Sequence, residues 1–339
     1  MRRSSVSLAD VADWHNLARA FHRAAKGKRG RPDVERFRAG LDRELARLRS
    51  AILDGIIQLG RTRRFTIRDP KPRVIHAPAF EERVLHHALM AEMGPILDRT
   101  LVADTFACRE GKGTLAAVRR AQQHLRRQPW YAQIDIRRYF ASIDHAVLLG
   151  QIGRRFKDRG LLGLVERIVR SHEYAPGKGL PIGALTSQHF ANAYLGEVDR
   201  LLLEQCRVAG YVRYMDDSIW WDQDRAAVRR ALQFVREHLE SRLRLTIKEP
   251  VRVGRSRDGL SFSRYRIRPN RLLLSRRRKR RYAERRQAWE RAYLDDRIDG
   301  RTLQAGYTSA LAITAHADAA AWRREQLHRH GLEPALHEV

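Results

Sequence analysis

Residues 210–222, GYVRYMDDSIWWD, restrict the choice of folds more than any other segment. Two apolar, aromatic runs, YVRY and SIWW, flank Met215, Asp216 and Asp217. Such a pattern predicts two antiparallel strands, with the three central residues as their connection. Adjacent carboxylates repel, and a buried one costs free energy unless something pairs with it. Two readings follow. Asp is a common turn former, so the acids fit a solvated turn. Side chains alternate faces along a straight strand, and a tight turn breaks that alternation, so both carboxylates also fit a shared metal-holding site.

A third acid bears on the choice. AQIDIRRYFASIDH places Asp135 at the end of an apolar strand, between Ile134 and Ile136. If that strand lies beside the hairpin, Asp135 faces the acidic pair, and three carboxylates in one place need cations. Hard oxygen ligands around an open cavity suit Mg²⁺, which keeps waters and binds substrate phosphates. Two such ions about 4 Å apart activate a 3′-hydroxyl and stabilise a leaving pyrophosphate. Asp144, in SIDHAVL, reads instead as a helix N-cap.

Between the acidic elements lies GKGLPIGALTSQ. Gly183 lets backbone approach a ligand closely, and Ser187 is placed to cap the following helix. Upstream, RDPKPRVIHAP holds Lys71 and Arg73 in a hairpin-like segment. Arg suits bidentate phosphate contact and Lys acts as a point charge; the other reading is solvated surface charge.

Residues 8–60 carry apolar side chains at helical spacing, including Leu17, Phe21, Val34, Phe37, Leu45 and Leu48, with Ser7 as an N-cap. RRFTIRDPKPRVIHAP reads as two short strands around a turn, and LRLTIKEPVRV as a later strand. Helical patterns alternate with antiparallel hairpins, which predicts an α+β fold. After Gly259 the composition shifts. Residues 276–286, RRRKRRYAERR, contain eight basic residues and one acid, and from there the chain reads as helix to Val339. Lys and Arg number 67 against 39 Asp and Glu, a net charge of +28. That imbalance predicts a polyanionic partner, most simply nucleic acid. The two cysteines, Cys108 and Cys206, have no paired-ligand spacing and fit a reducing cytoplasm. The N-terminal residues have no apolar h-region, which predicts no cleaved leader, and no apolar run is long enough to span a membrane.

YAQIDIRRYF, GLPIGALTSQ and YVRYMDDSIWW resemble, in order and separation, the palm motifs of reverse transcriptases. PKPRVIHAPAFEERVLHHAL and TFACREGKGT are similar to the finger motifs of the bacterial branch, which includes group II intron and retron enzymes. LTIKE and LSFSRYRIRPN resemble the later palm and primer-grip motifs. The resemblance implies a right hand of fingers, palm and thumb, with an antiparallel palm sheet. It divides the chain into a helical N-terminal segment (1–60), fingers (61–130), a palm (131–258, with a finger-like insertion at about 150–180), and primer grip and helical thumb (259–339). It implies that Asp135 and Asp216 ligate two Mg²⁺ ions, joined by the Ile136 carbonyl, with Asp217 more peripheral. It further implies that Lys71 and Arg73 bind the dNTP triphosphate. Phe140 becomes a steric gate against a 2′-hydroxyl, its other reading being a core aromatic. Lys248 becomes the proton donor to pyrophosphate, its other reading an exposed strand lysine. The implied partners are template RNA and the RNA–cDNA duplex.

Most of these enzymes have Gln before the loop glycine and Pro after the serine; here Ile182 and Gln188 stand there. IGALTSQ resembles the enzymes of diversity-generating retroelements. These copy a template-repeat RNA with errors at adenine, work with a basic pentameric accessory protein in the bacterial cytoplasm, and supply cDNA that replaces a variable repeat. A Gln amide hydrogen-bonds around a nascent base pair and Ile does not, a loss of about 1 kcal/mol per bond. Arg264 stands where the family usually has Gly in the primer-grip turn, a position needing positive φ. Two rivals remain: a retron-like or phage-defence enzyme, and a maturase-like RNA-binding protein.

Overall fold

The computed structural model describes residues 3–68 and 72–329. The N-terminal helices are α1 (Leu8–Val11), α2 (Trp14–Ala25), α3 (Pro32–Ala39) and α4 (Leu41–Leu53). Ser7 caps α1 in a reciprocal capping box with Asp10, satisfying two otherwise orphan amides. The predicted apolar stripes are buried, and the Phe21 ring stacks on Phe37 at 5.6 Å and meets Phe80 edge-on. Regular helix stops at Leu53 rather than at residue 60.

β1 (Thr62–Arg68) and β2 (Pro72–Pro78) form the expected antiparallel pair, with Ile67 opposite Arg73. Lys71 lies outside the described residues. Next come α5 (Phe80–Arg99), α6 (Thr114–Arg127), β3 (Trp130–Ile134), α7 (Tyr139–Ser142), α8 (His145–Gly153) and α9 (Arg159–Arg170). Asp144 caps α8, accepting from the Val147 N–H. α10 (Leu185–Tyr194) starts two residues before Ser187. Ala184 is its N-cap residue and makes no side-chain cap bond, so Ser187 is buried in the first turn instead of capping it. α11 (Gly196–Arg200) runs on into a π-turn, followed by β4 (Gly210–Tyr214), β5 (Asp217–Asp222) and α12 (Arg225–Ser241). The strand expected over LRLTIKEPVRV is split. Ile247 makes a lone antiparallel bridge to Ile136, and regular pairing resumes at β6 (Arg252–Arg255), beyond Pro250, which has no N–H to give a ladder.

The four-stranded sheet has the order β4-β5-β3-β6, every pair antiparallel. Side-chain alternation gives it two cores. Ala132, Tyr211 and Trp220 face a large core shared with α5, α10 and α12. Tyr131, Val212, Ile219 and Trp221 face a second core with α6 and a three-stranded sheet. That sheet is β7 (Leu260–Phe262), β8 (Tyr265–Ile267) and β9 (Leu272–Leu274). α13 (Arg276–Leu294), α14 (Gly300–Ala312) and α15 (Ala320–Arg329) follow, so the helical reading of this region is right but interrupted twice. Residues 330–339 of that reading lie outside the described residues. No helix among the described residues is long and apolar enough to cross a membrane.

Candidate active site

The β4–β5 hairpin closes through two residues, because Tyr214 pairs with Asp217. Asp217 is thus the first residue of β5, not part of the connection. Met215 takes φ 59°, a left-handed conformation uncommon for a side chain of its kind and typical of strained functional turns. This turn directs both acids at the end of β3. Asp135, Asp216 and Asp217 line one cavity of about 730 Å³, together with Arg73, Gln133, Phe140, Ile182, Gln188 and Lys248.

Electrostatics in the cavity are dominated by the burial of the acids, with their mutual repulsion second. Burial, reinforced by the Asp135 carboxylate, pushes Asp216 up to about 7, while the Arg73 charge pulls the other way. Burial also pushes Asp217 up to about 7, against a 2.9 Å hydrogen bond from the Gln133 amide. The charges of Asp135 and Asp216 add to that rise. Lys248 is held twice: its backbone N–H donates to the Asp135 carbonyl at 2.8 Å, and its ammonium to the Asp135 carboxylate at 2.6 Å. The carboxylate bond and charge raise the Lys248 pKa.

The bridge opposite Ile136 is closed by the Arg137 N–H to Thr246 and the Lys248 N–H to Asp135, so neither backbone polar group of Ile136 takes part in it. Hard oxygens from two strands that resist ionising together at neutral pH suit a divalent cation better than any monovalent partner. Among the described residues, no group of three or more His, Cys, Asp or Glu side chains is placed to hold a metal ion by itself.

The glycine loop contributes Ile182 to the lining of the same cavity. Gly183 has φ +122°, and a Cβ there would lie 2.8 Å from both the His76 carbonyl and Ile75 Cγ2. Only glycine fits this approach of the loop to β2. The His76 N–H donates to the Ile182 carbonyl at 2.8 Å, leaving the Ile182 side chain on the cavity wall. Gln188 Oε1 accepts from the Cys108 thiol at 3.5 Å. The Phe140 ring lies edge-on to Tyr139, and its carbonyl accepts from the Leu180 N–H.

Gln133 and Cys108 line the cavity although the sequence gives neither a place in the site. Gln133 had a signal: it stands in β3 two residues before Asp135, which follows the strand's last residue, a period-two position. At the β7–β8 turn, where the resemblance places the primer grip, Ser263 and Arg264 have φ 46° and 70° between paired Phe262 and Tyr265. The hairpin therefore keeps a left-handed two-residue turn without glycine. Ser263 lines the acidic cavity, while Arg264 lines a neighbouring groove with Arg277, Arg278, Arg281 and Arg285.

An antiparallel sheet that gathers three carboxylates at a hairpin tip, beneath a basic strand pair, defines the palm of a right-hand polymerase. The comparisons specify the branch. The family model "Reverse transcriptase (RNA-dependent DNA polymerase)" matches residues 67–249, and the chain belongs to that family. Protein YkfC of Escherichia coli is 26% identical over 182 residues, 50% of this chain and 48% of that protein. The group II intron-encoded protein LtrA of Lactococcus lactis is 23% identical over 140 residues, 40% of this chain and 23% of that one. The chain thus spans about half or less of the length of these curated relatives. Among solved structures, apo telomerase from Candida tropicalis gives a TM-score of 0.45 at 10% identity, covering 63% of this chain and 48% of that one.

Proposed function

We propose that the chain is an RNA-directed DNA polymerase that extends a primer 3′-hydroxyl with dNTPs on an RNA template. The observation that carries the reading is the convergence of Asp135, Asp216, Asp217, Arg73, Phe140 and Lys248 on one cavity in a chain of this family. The chain divides into an N-terminal segment (1–60), fingers (61–130), palm (131–258) and primer grip with thumb (259–339). Asp135, Asp216 and the Ile136 carbonyl, with Asp217 at the edge, would hold two Mg²⁺ ions, whose chemistry when bound is to acidify the 3′-hydroxyl and neutralise phosphate charge. Arg73 grips the triphosphate through its planar fork, assisted by Lys71. Lys248, already a donor to Asp135, hands a proton to the departing pyrophosphate. The Phe140 ring excludes a 2′-hydroxyl. The arginine-rich start of α13 holds the template–primer duplex by its phosphates.

Within this activity we assign the diversity-generating retroelement type. Ile182 lines the cavity with no polar group to offer the nascent pair, and Gln188 lines the same cavity. The reading includes errors at template adenine, cDNA for mutagenic retrohoming, a pentameric accessory protein and a cytoplasmic setting. The similarity to LtrA favours a second reading, a maturase-like RNA-binding protein. Primer extension on RNA followed by cDNA sequencing separates them. The polymerase reading expects full-length cDNA from the wild type, none from Asp216→Ala with RNA binding retained, and fewer errors at adenine from Ile182→Gln. No extension by the wild type refutes the polymerase, and an unchanged error spectrum for Ile182→Gln refutes the retroelement assignment.

A further inference from the structure

Beneath the acidic turn lies a dry polar network centred on Arg213. Its side chain is fully buried, where an unpartnered guanidinium would be prohibitive. All five N–H donors are used. Nε gives to Asp199 Oδ1 at 2.7 Å, and Nη2 gives to Asp199 Oδ2 at 2.6 Å and to the Asn192 carbonyl at 3.0 Å. Nη1 gives to Asn192 Oδ1 and to the Met215 carbonyl, both at 2.9 Å. Asp199 also accepts from the Tyr211 hydroxyl at 2.6 Å and from Thr105 Oγ1 at 3.2 Å. Burial acts to deprotonate Arg213, and the charge and hydrogen bonds of Asp199 more than offset it.

Fold stability alone is a poor reason for this arrangement. A buried ion pair is often matched or bettered by apolar side chains of similar volume. What singles it out is where the bonds end. Met215 immediately precedes Asp216 and is the left-handed residue of the turn. Asn192 lies one turn after Gln188 on α10, and its Nδ2 donates at 2.8 Å to the carbonyl of Ala107, which lines the cavity beside Cys108. The Arg213 backbone is bonded to Asp104 and Phe106 of the same 104–108 segment. Three walls of the cavity therefore meet at one residue: the Met215 turn and α10 at the Arg213 guanidinium, and residues 104–108 at its backbone and at Asn192.

We infer that Arg213, paired with Asp199, is a positioning residue: it fixes the Met215 carbonyl, and through it Asp216, relative to the cavity wall formed by α10 and residues 104–108. The inference rests on the polymerase reading and adds to it a geometric support outside the cavity. Lys in place of Arg has three donors for five acceptor contacts and no planar fork, so it cannot reproduce the bidentate Asp199 pair together with the Asn192 and Met215 bonds. A turn freed by about 1 Å is enough to slow transfer about 100-fold.

The test compares Arg213→Lys, the double variant Arg213→Met with Asp199→Leu, and Tyr211→Phe, which deletes one hydroxyl from the network and leaves the ion pair. Each is measured for melting temperature, affinity for a labelled RNA–DNA primer–template, single-turnover extension rate and the Mg²⁺ concentration at half-maximal rate. The Arg213 variants that fold should bind primer–template within about 3-fold of wild type, extend it about 100-fold more slowly and need more Mg²⁺. Tyr211→Phe should show a smaller loss in the same direction. Folded variants with wild-type rate and Mg²⁺ dependence overturn the inference. If neither Arg213 variant folds, an unchanged Tyr211→Phe overturns it alone. A wild-type chain that does not extend the primer fails the polymerase reading itself, a result separate from unchanged variants of an active chain.

Discussion

Asp216→Asn should make the metal-free chain more stable at pH 8 while ending synthesis. Burial and the Asp135 carboxylate raise the Asp216 carboxyl from 3.8 to about 7. Between those values the folded chain keeps a proton that the unfolded chain releases, so stability is present at low pH and lost as pH rises through that window. A displacement of about three units at ~1.36 kcal/mol each amounts to roughly 4 kcal/mol. Not all of it is recovered. Asp217 remains elevated, by burial first, and the Asn amide still has to be solvated in a half-buried turn. A gain of about 2 kcal/mol is therefore expected at pH 8, a melting rise of roughly 4 °C. At pH 4 the folded carboxyl is protonated and the unfolded one nearly half so, which leaves about 0.5 kcal/mol to gain. Scanning calorimetry in chelator at both pH values measures the difference. Mg²⁺ should stabilise the wild type at pH 8 and do so much less for the variant. A variant no more stable than wild type at pH 8, or equally stabilised at both pH values, refutes the argument that the acids are held against their own repulsion.

Phe140→Ala should open the cavity beside Asp135 and raise the ratio of ribonucleotide to deoxyribonucleotide incorporation by about 10–100-fold, the scale set by steric discrimination in a pocket. Competition assays read that ratio, and no change assigns the ring to packing against Tyr139 alone. Gly183→Ala puts a methyl 2.8 Å from the His76 carbonyl at a φ of +122°, so the loop must leave β2. Hydrogen exchange at the His76 amide, which donates to Ile182, should speed up by at least about tenfold, ~1.4 kcal/mol of local opening. Undiminished protection would show that the loop tolerates a side chain.

Much of the site is legible in the sequence because its signals are local. The hairpin shows in a period-two pattern with an acidic break, and Asp135 shows as the sole acid in an apolar strand. Asp144 reads as a cap from three residues of context, and the structure places it there. What escapes is whatever depends on distance along the chain. Arg213 meets Asp199 across 14 residues and Asn192 across 21, and no spacing rule ties a strand arginine to such partners. Ser187 looked like a cap because Ser is a good one. The helix starts at Leu185 instead, where the left-handed Gly183 and the contact with β2 turn the chain. β9 is three residues long, Leu272–Leu274, too short for alternation to separate it from the helical pattern after it. The Ser263–Arg264 turn defeats propensity outright, since two non-glycine residues adopt the φ that glycine would supply.

Trp220 and Trp221 are both fully buried, and each fills a different core. Sliding β5 by one residue would turn each indole to the opposite face of the sheet, out of the core packed around it, at a cost of several kcal/mol. The same ladder sets how far Asp217 stands from the end of β3. The strand therefore works as a gauge with a single tooth. An insertion or deletion between residues 217 and 220 changes the spacing of both tryptophans from the acids in one event, so the register of the cores and the geometry of the acids fail together.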